Sequence, residues 1–105
     1  MATSVINNPF KADTHTIDTQ NGTVTVLYSV VGKSCFVNAT GRPSSSSQIE
    51  VTVPTANVGA YLTTPQWGRQ STMMQMWIDA DTNTLRIRNF YTGENVNCSL
   101  CYLIK

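Results

Sequence analysis

Apolar and polar side chains alternate along most of the chain. Val24, Val26, Tyr28 and Val30, for example, occupy every second position of one stretch. A period of two is the pattern of a β-strand with one buried face, because successive side chains of a strand point to opposite sides. The alternation predicts strands over residues 14–19, 23–31, 34–40, 48–53, 72–79, 84–90 and 96–104.

Turn signals separate these stretches and indicate antiparallel pairing. Gly32 and Lys33 form a two-residue connection of the hairpin type. The serine-rich segment 41–47 is predicted to be a flexible loop, and the segment 55–70, which contains two glycines and a proline, a long structured loop with at most a short irregular strand. We therefore expect an N-terminal arm or linker over residues 1–13, followed over residues 14–105 by one all-β domain, an antiparallel β-sandwich of about eight strands.

Composition supports this fold class and narrows the function. Val, Ile and Thr account for 31 of the 105 residues, whereas Leu and Ala account for 11. Branched side chains suit a pleated surface better than a helix. Charged residues are only 12% of the chain and the net charge is +1, which argues against a basic surface for nucleic acid. The chain contains neither an apolar run of membrane-spanning length nor a signal peptide, so we expect no membrane insertion and no export by a cleaved signal.

Few residues are candidates for catalysis or metal binding. His15 is the single histidine and lies in no nucleophile motif, so a surface or interface position is expected. Cys98 and Cys101 are three residues apart, and in a strand this spacing sends the two thiols to opposite faces. The turn over residues 79–83 imitates part of a calcium loop but lacks its glycine and its final glutamate. We therefore expect no catalysis, no cofactor and no metal site.

The segment 61–69 carries the side chains that sugar recognition needs. An aromatic face packs against the apolar side of a sugar ring, and amide or guanidinium groups bond its hydroxyls. Tyr61, Gln66, Trp67 and Arg69 supply this set within nine residues and are candidate glycan-binding residues. The alternative is that the two aromatic rings fill the end of the sandwich or a subunit axis.

A second candidate set lies on the predicted strands of the second half. Arg86 and Arg88 share the face of their strand that does not point to the core, where they could bind an acidic glycan or phosphate, or pair with nearby carboxylates. Met73, Trp77 and Leu103 also lie opposite the predicted core. They are candidates for a subunit interface, since interfaces favour large apolar and aromatic side chains.

Five short motifs follow one another through the second half: Val53-Pro54, Gly59-Ala60-Tyr61, Trp77-Ile78-Asp79, Leu85-Arg86-Ile87 and Ser99-Leu100-Cys101-Tyr102-Leu103. Together with the upstream hairpin TVLYSVVGKSCFVNATG, they resemble the C-terminal head domains of phage tail-fibre and baseplate receptor-binding proteins. The resemblance spans about residues 23–105. It implies a jelly-roll-like sandwich that assembles as a homotrimer and attaches a virion to a bacterial surface, often through glycans.

These observations predict a head domain of a phage or prophage tail fibre or baseplate. Such a domain would be made in the bacterial cytoplasm, reside in the virion and bind a bacterial surface polysaccharide or other glycan without catalysis. Weak sites repeated in a homotrimer would gain avidity. Two alternatives remain open: a structural fibre or decoration knob without a receptor, and a trimeric bacterial lectin of tumour-necrosis-factor-like fold.

Overall fold

The computed structural model describes residues 13–105, apart from the side chains of residues 69–71, and this part of the chain forms eight β-strands. The all-β, antiparallel sandwich expected from the alternation is confirmed. No helix in the described residues has the length and apolar character needed to cross a membrane. The strands are β1 (Asp13–Asp18), β2 (Thr25–Val31), β3 (Ser34–Gly41), β4 (Ile49–Thr52), β5 (Ala60–Gln66), β6 (Arg69–Ile78), β7 (Thr84–Arg88) and β8 (Val96–Leu103).

The strands form two antiparallel sheets of four. The first sheet has the order β1-β2-β3-β8, and the second has the order β4-β7-β6-β5. Each sheet is thus a three-strand meander flanked by one strand from elsewhere in the chain. The pairs β3–β8, β4–β7 and β5–β6 are nested one inside the next along the sequence, as in a jelly roll.

The core lies between the two sheets and contains the apolar sets that the alternation predicts. In β6, Met74, Met76 and Ile78 are each 1% exposed, and in β7 Leu85 and Ile87 are fully buried. Burial of a large apolar side chain stabilises the fold by roughly 1.5–3 kcal/mol, so these positions dominate the stability of the second sheet. The first sheet and the segments around β4 contribute Val24, Val26, Cys35, Val37, Ala39, Ile49, Val51, Val53, Val96, Cys98 and Tyr102.

The edge of the first sheet extends beyond this core. Tyr28 and Val30 of β2 are only partly buried. Instead, the ring of Tyr28 stacks on that of His15 in β1, with 4.8 Å between their centroids. The Nε2 atom of His15 lies 3.0 Å from Oδ1 of Asp13, and both side chains are largely exposed. His15 is therefore a surface residue, as predicted, and the arm expected over residues 1–13 lies outside the described residues except for Asp13.

The segment 55–70 is where the structure differs most from the sequence prediction. Residues 60–66 form the strand β5, which pairs with β6 across a two-residue turn at Trp67 and Gly68, with a shift of register between Pro65 and Gln66. Gly68 has φ of +78°, a left-handed conformation that glycine adopts without steric cost. Pro65 is tolerated because β5 is an edge strand and needs no N–H on its open side. The predicted long loop is thus a hairpin.

The serine-rich loop after β3 is anchored by a side chain from the first half of the chain. Asn21 is 8% exposed, and its Oδ1 accepts hydrogen bonds from the backbone N–H groups of Ser44 and Ser45, both at 2.9 Å. Its Nδ2 donates to the carbonyl oxygen of Ser45 at 3.0 Å. One amide therefore ties the β1–β2 turn to the connection between the two sheets, where composition alone predicts flexibility.

Candidate functional site

The strand conformation of residues 60–66 separates the two aromatic residues predicted to act together. Six residues of extended strand span about 20 Å. Tyr61 therefore lies near the start of β5, on the outer face of the second sheet, whereas Trp67 lies at the far tip of the β5–β6 hairpin. Tyr61 is 57% exposed and Trp67 is 75% exposed, so neither ring fills the end of the sandwich.

Gln66 is a structural residue and not a free glycan donor. Its side chain is fully buried. Nε2 donates to the carbonyl oxygens of Tyr91 at 2.8 Å and Glu94 at 3.2 Å, and Oε1 accepts from the N–H of Tyr91 at 2.7 Å. The amide is thus committed to the turn between β7 and β8. A sugar could reach it only by breaking these bonds, so Gln66 is removed from the predicted site.

Trp67 stands between two shallow grooves. One groove, of about 450 Å³, is lined by Pro65, Gln66, Gly68 and Asn97, and the other, of about 420 Å³, by Thr40, Gly41, Asn95, Val96 and Asn97. We call this region the Trp67 groove. The lining residues whose side chains the structure describes are uncharged.

The tip of the β5–β6 hairpin, which carries Trp67, is anchored to the β7–β8 turn by two contacts. Gln66 ties the end of β5 to the β7–β8 turn, as described above. The carboxylate of Glu94 packs against Gly68 so closely that a Cβ atom there would lie 2.5 Å from Oε2. The aromatic ring is therefore presented on an anchored backbone, which lowers the conformational entropy lost when a ligand binds.

Asparagine side chains from β3 and β8 complete the polar side of the groove. Asn97 faces outward from β8, and its Oδ1 lies 3.4 Å from Nδ2 of Asn38, which also donates to the hydroxyl of Ser99 at 2.8 Å. The sequence analysis missed these residues. The available signal was that Asn38 and Asn97 each occupy a position of a predicted strand that points away from the core. Nothing in the sequence, however, places β8 beside the β5–β6 turn.

Arg69 begins β6, where its backbone pairs with Gln66. Its side chain lies outside the described residues, so its predicted role in glycan binding stays a prediction.

The outer face of the second sheet brings together Tyr61, Trp77 and Arg88. Tyr61 is directly opposite Trp77 in the register, and the two ring centroids are 6.2 Å apart with the planes tilted by 36°. On the other side of Trp77, Cζ of Arg88 lies 4.9 Å from the centroid of the indole ring. The Nε of Arg88 also donates to Oε1 of Gln75. We call these four residues the Trp77 face.

Arg86 lies on the same face but is already paired. Its Nε is 3.1 Å from Oε2 of Glu50 and its Nη1 is 3.5 Å from Oδ2 of Asp79. Hydrogen bonds from the guanidinium of Arg86 and, to a smaller extent, from the amide of Gln48 lower the pKa of the Glu50 carboxyl below its usual value. Of the two uses that the sequence leaves open for Arg86, the structure shows pairing with carboxylates.

The three predicted interface residues do not lie together. Met73 and Trp77 are on the outer face of the second sheet, and Leu103 is on the outer face of the first. Leu103 is 49% exposed and shares its face with Phe36, which is 51% exposed, and Leu27, which is 41% exposed. The first sheet therefore presents an exposed apolar surface that the sequence analysis identified only at Leu103.

The cysteines carry no sign of metal or redox chemistry in the described part of the chain. Cys98 is buried and Cys101 is exposed, so the two thiols point to opposite faces, as the strand spacing predicts. Burial raises the pKa of the Cys98 thiol to about 11, and burial also raises that of Cys35. No group of three metal-ligating side chains occurs among residues 13–105.

Fold and surface together describe a small antiparallel β-sandwich with exposed aromatic residues at the β5–β6 turn and on the outer faces of both sheets. Comparisons with protein-family models, curated proteins and solved structures found no match to this chain.

Proposed function

We propose that this chain is the receptor-binding head domain of a phage or prophage tail fibre or baseplate, and that it binds a bacterial surface glycan without catalysis. The exposed indole of Trp67, with uncharged grooves on both sides, carries the proposal. The resemblance of the second half to such head domains and the eight-stranded sandwich are consistent with it.

The chemistry of the Trp67 groove suits a neutral sugar. An indole ring offers an apolar face to the C–H groups of a pyranose, and amides can both donate to and accept from its hydroxyls. Asn95 and Asn97 supply two amides and Thr40 a hydroxyl beside the ring. Because the described lining residues are uncharged and the carboxylate of Glu94 lies against Gly68, an acidic sugar would gain no ion pair from them.

Replacing Trp67 with alanine is expected to weaken binding of neutral surface glycans by about tenfold or more, because the ring is the largest contact surface in the groove. The measurement is a glycan array followed by calorimetric titration with the best neutral oligosaccharide. Met73→Ala is the matched control, since it also removes a large, partly exposed apolar side chain, but on the outer face of the second sheet and outside the groove.

Equal binding by Trp67→Ala and the unmodified protein would overturn the groove as the receptor site. An empty array from a correctly assembled protein would favour the structural knob over the receptor-binding head.

The proposed assembly is a homotrimer that uses the outer face of the first sheet. Leu27, Phe36 and Leu103 are the exposed apolar side chains that sister subunits would cover there. We expect sedimentation of the purified chain to give about three times the 11.5 kDa of one subunit.

Replacing Leu103 with lysine should shift the protein towards the monomer, because the interface would then bury an unpaired charge. Met73→Lys, which places the same charge at a similarly exposed apolar position on the second sheet, should leave the assembly unchanged. A stable monomer for the unmodified chain contradicts the trimer.

A further inference from the structure

We infer that the Trp77 face is a second ligand site, which binds a sugar ring bearing an anionic group, either a carboxylate or a phosphate. It differs from the Trp67 groove in position, in charge and in the strands that form it. The inference therefore goes beyond the neutral-glycan site proposed above and can fail independently of it.

Arg88 differs from its neighbour Arg86 in its ion pairing. Within residues 13–105, side chains of 69–71 aside, no carboxylate lies within ion-pairing distance of Arg88. Its neighbour Arg86, two residues earlier on the same strand face, is paired with Glu50 and Asp79. Arg88 is thus a surface cation without a counterion in the described part of the chain.

Two contacts already orient the side chain of Arg88. Gln75 accepts the hydrogen bond from its Nε, and the guanidinium stacks over Trp77. Neither contact uses the two terminal nitrogens of the guanidinium. A guanidinium presents these nitrogens as a fork that matches a carboxylate or phosphate in a bidentate manner. A side chain held in this way loses little rotamer freedom when it binds an anion.

An apolar surface lies beside the guanidinium of Arg88. Tyr61 and Trp77 form a tilted pair of rings at the start of β5 and the end of β6. They border a shallow depression of about 240 Å³, whose far side is lined by Asp79, the carboxylate that Arg86 engages. One pyranose ring is similar in width to such a pair. A sugar that packs on the rings would place a substituent within reach of Arg88, which lies over Trp77.

Carboxylates are distributed unevenly around the Trp77 face. Arg86 engages both Glu50 and Asp79. Glu50 and Arg86 lie in the same row as Trp77, and Asp79 lies two residues beyond Trp77, away from Gln75. In the row that contains Arg88, the neighbouring strands contribute the uncharged Gln75 and Thr63. The anionic group is therefore expected at the Arg88 end of the face, where no carboxylate opposes it.

The two tryptophans allow each site to be observed separately, because the chain contains only two and each lies at one site. The experiment is a titration of ¹⁵N-labelled protein followed by the indole N–H signals of Trp67 and Trp77. Trigalacturonate supplies carboxylates, glucose 6-phosphate supplies a phosphate, and maltotriose is the neutral probe. We expect the Trp77 signal to move with at least one acidic probe and not with maltotriose, and the probe that binds more tightly identifies the anion.

Arg88→Gln is expected to weaken binding of the acidic probe by about tenfold or more, since it removes charge-assisted hydrogen bonds. Arg86→Gln, the matched loss of one positive charge on the same strand face, should change the affinity by less than about threefold because Glu50 and Asp79 already neutralise that residue. Arg88→Lys keeps the charge without the fork and should fall between the two.

Three outcomes would overturn the inference: no movement of the Trp77 signal with either acidic probe at millimolar concentration, an equal response to maltotriose, or equal losses for Arg88→Gln and Arg86→Gln. The last would mean that net charge, and not a built site, attracts the anion. Unchanged signals elsewhere in the spectra of the variants establish that the fold is intact. Movement of the Trp67 signal by maltotriose reports on the neutral groove alone and decides nothing about the Trp77 face.

Discussion

Replacing Gln66 with leucine is expected to lower the free energy of unfolding by about 3 kcal/mol or more. The side chain is similar in size but cannot bond the backbone of Tyr91 and Glu94, and each partner left unsatisfied in a buried place costs about 1–3 kcal/mol. Urea unfolding at matched protein concentration measures the difference, with the concentration held constant because subunit association would also shift the midpoint.

The control for this substitution is Gln48→Leu. Gln48 is exposed and donates only to the carboxylate of Glu50. Its replacement should change the free energy of unfolding by no more than about 0.5 kcal/mol. Similar losses for the two variants would show that the amide of Gln66 does not anchor the hairpin tip.

Replacing Gly41 with alanine is expected to lower the free energy of unfolding by about 4 kcal/mol, combining backbone strain with overpacking. Gly41 has φ of +128°, which L-residues rarely adopt. A Cβ atom there would lie 2.3 Å from the carbonyl oxygen of Thr23 and 2.6 Å from its carbonyl carbon. Because both atoms belong to the backbone, the clash can be relieved only by moving the strand. Thermal and urea unfolding of the purified variant would measure the loss.

Gly32→Ala separates the clash from the strain. Gly32 also has a positive φ, of +61°, but the methyl group of an alanine in this β2–β3 turn would meet no other part of the chain within 4 Å. Strain alone should cost about 1–2 kcal/mol there. If Gly41→Ala were no more destabilising than Gly32→Ala, the close approach of the two chain segments at Thr23 would contribute nothing to stability.

Most strands could be predicted because a buried face repeats an apolar side chain at every second position. Met74, Met76 and Ile78 show this in β6, and all three lie in the core. Strand β5 escaped prediction because its inward positions include Thr64 and the buried Gln66, which look like loop residues in a sequence. The polar group of Gln66 is tolerated inside only because the backbone of a distant turn bonds it, and no local pattern reveals that partner.

The candidate site could be predicted in its chemistry but not in its arrangement. The sequence offers Trp67 and Arg88 as candidates for binding sugars and anions, and both side chains are exposed. The separation of Tyr61 from Trp67 depends on whether residues 60–66 are a loop or a strand. The contribution of Asn97 to the Trp67 groove depends on a contact between strands that are far apart in the chain. The alternation of apolar and polar residues in a single sequence does not reveal such a contact.

The nested pairing of β3 with β8 and of β4 with β7 also has a kinetic consequence. Asn38 bonds Ser99 across a separation of 61 residues, and Arg86 bonds Glu50 across 36. The chain must close these long loops before their contacts repay the lost entropy. Folding dominated by such distant pairs proceeds in roughly milliseconds to seconds, and the edge of β3 stays unpaired until β8 arrives. The strand that arrives last in this order is thus the one that limits how long the nascent sandwich is open to aggregation.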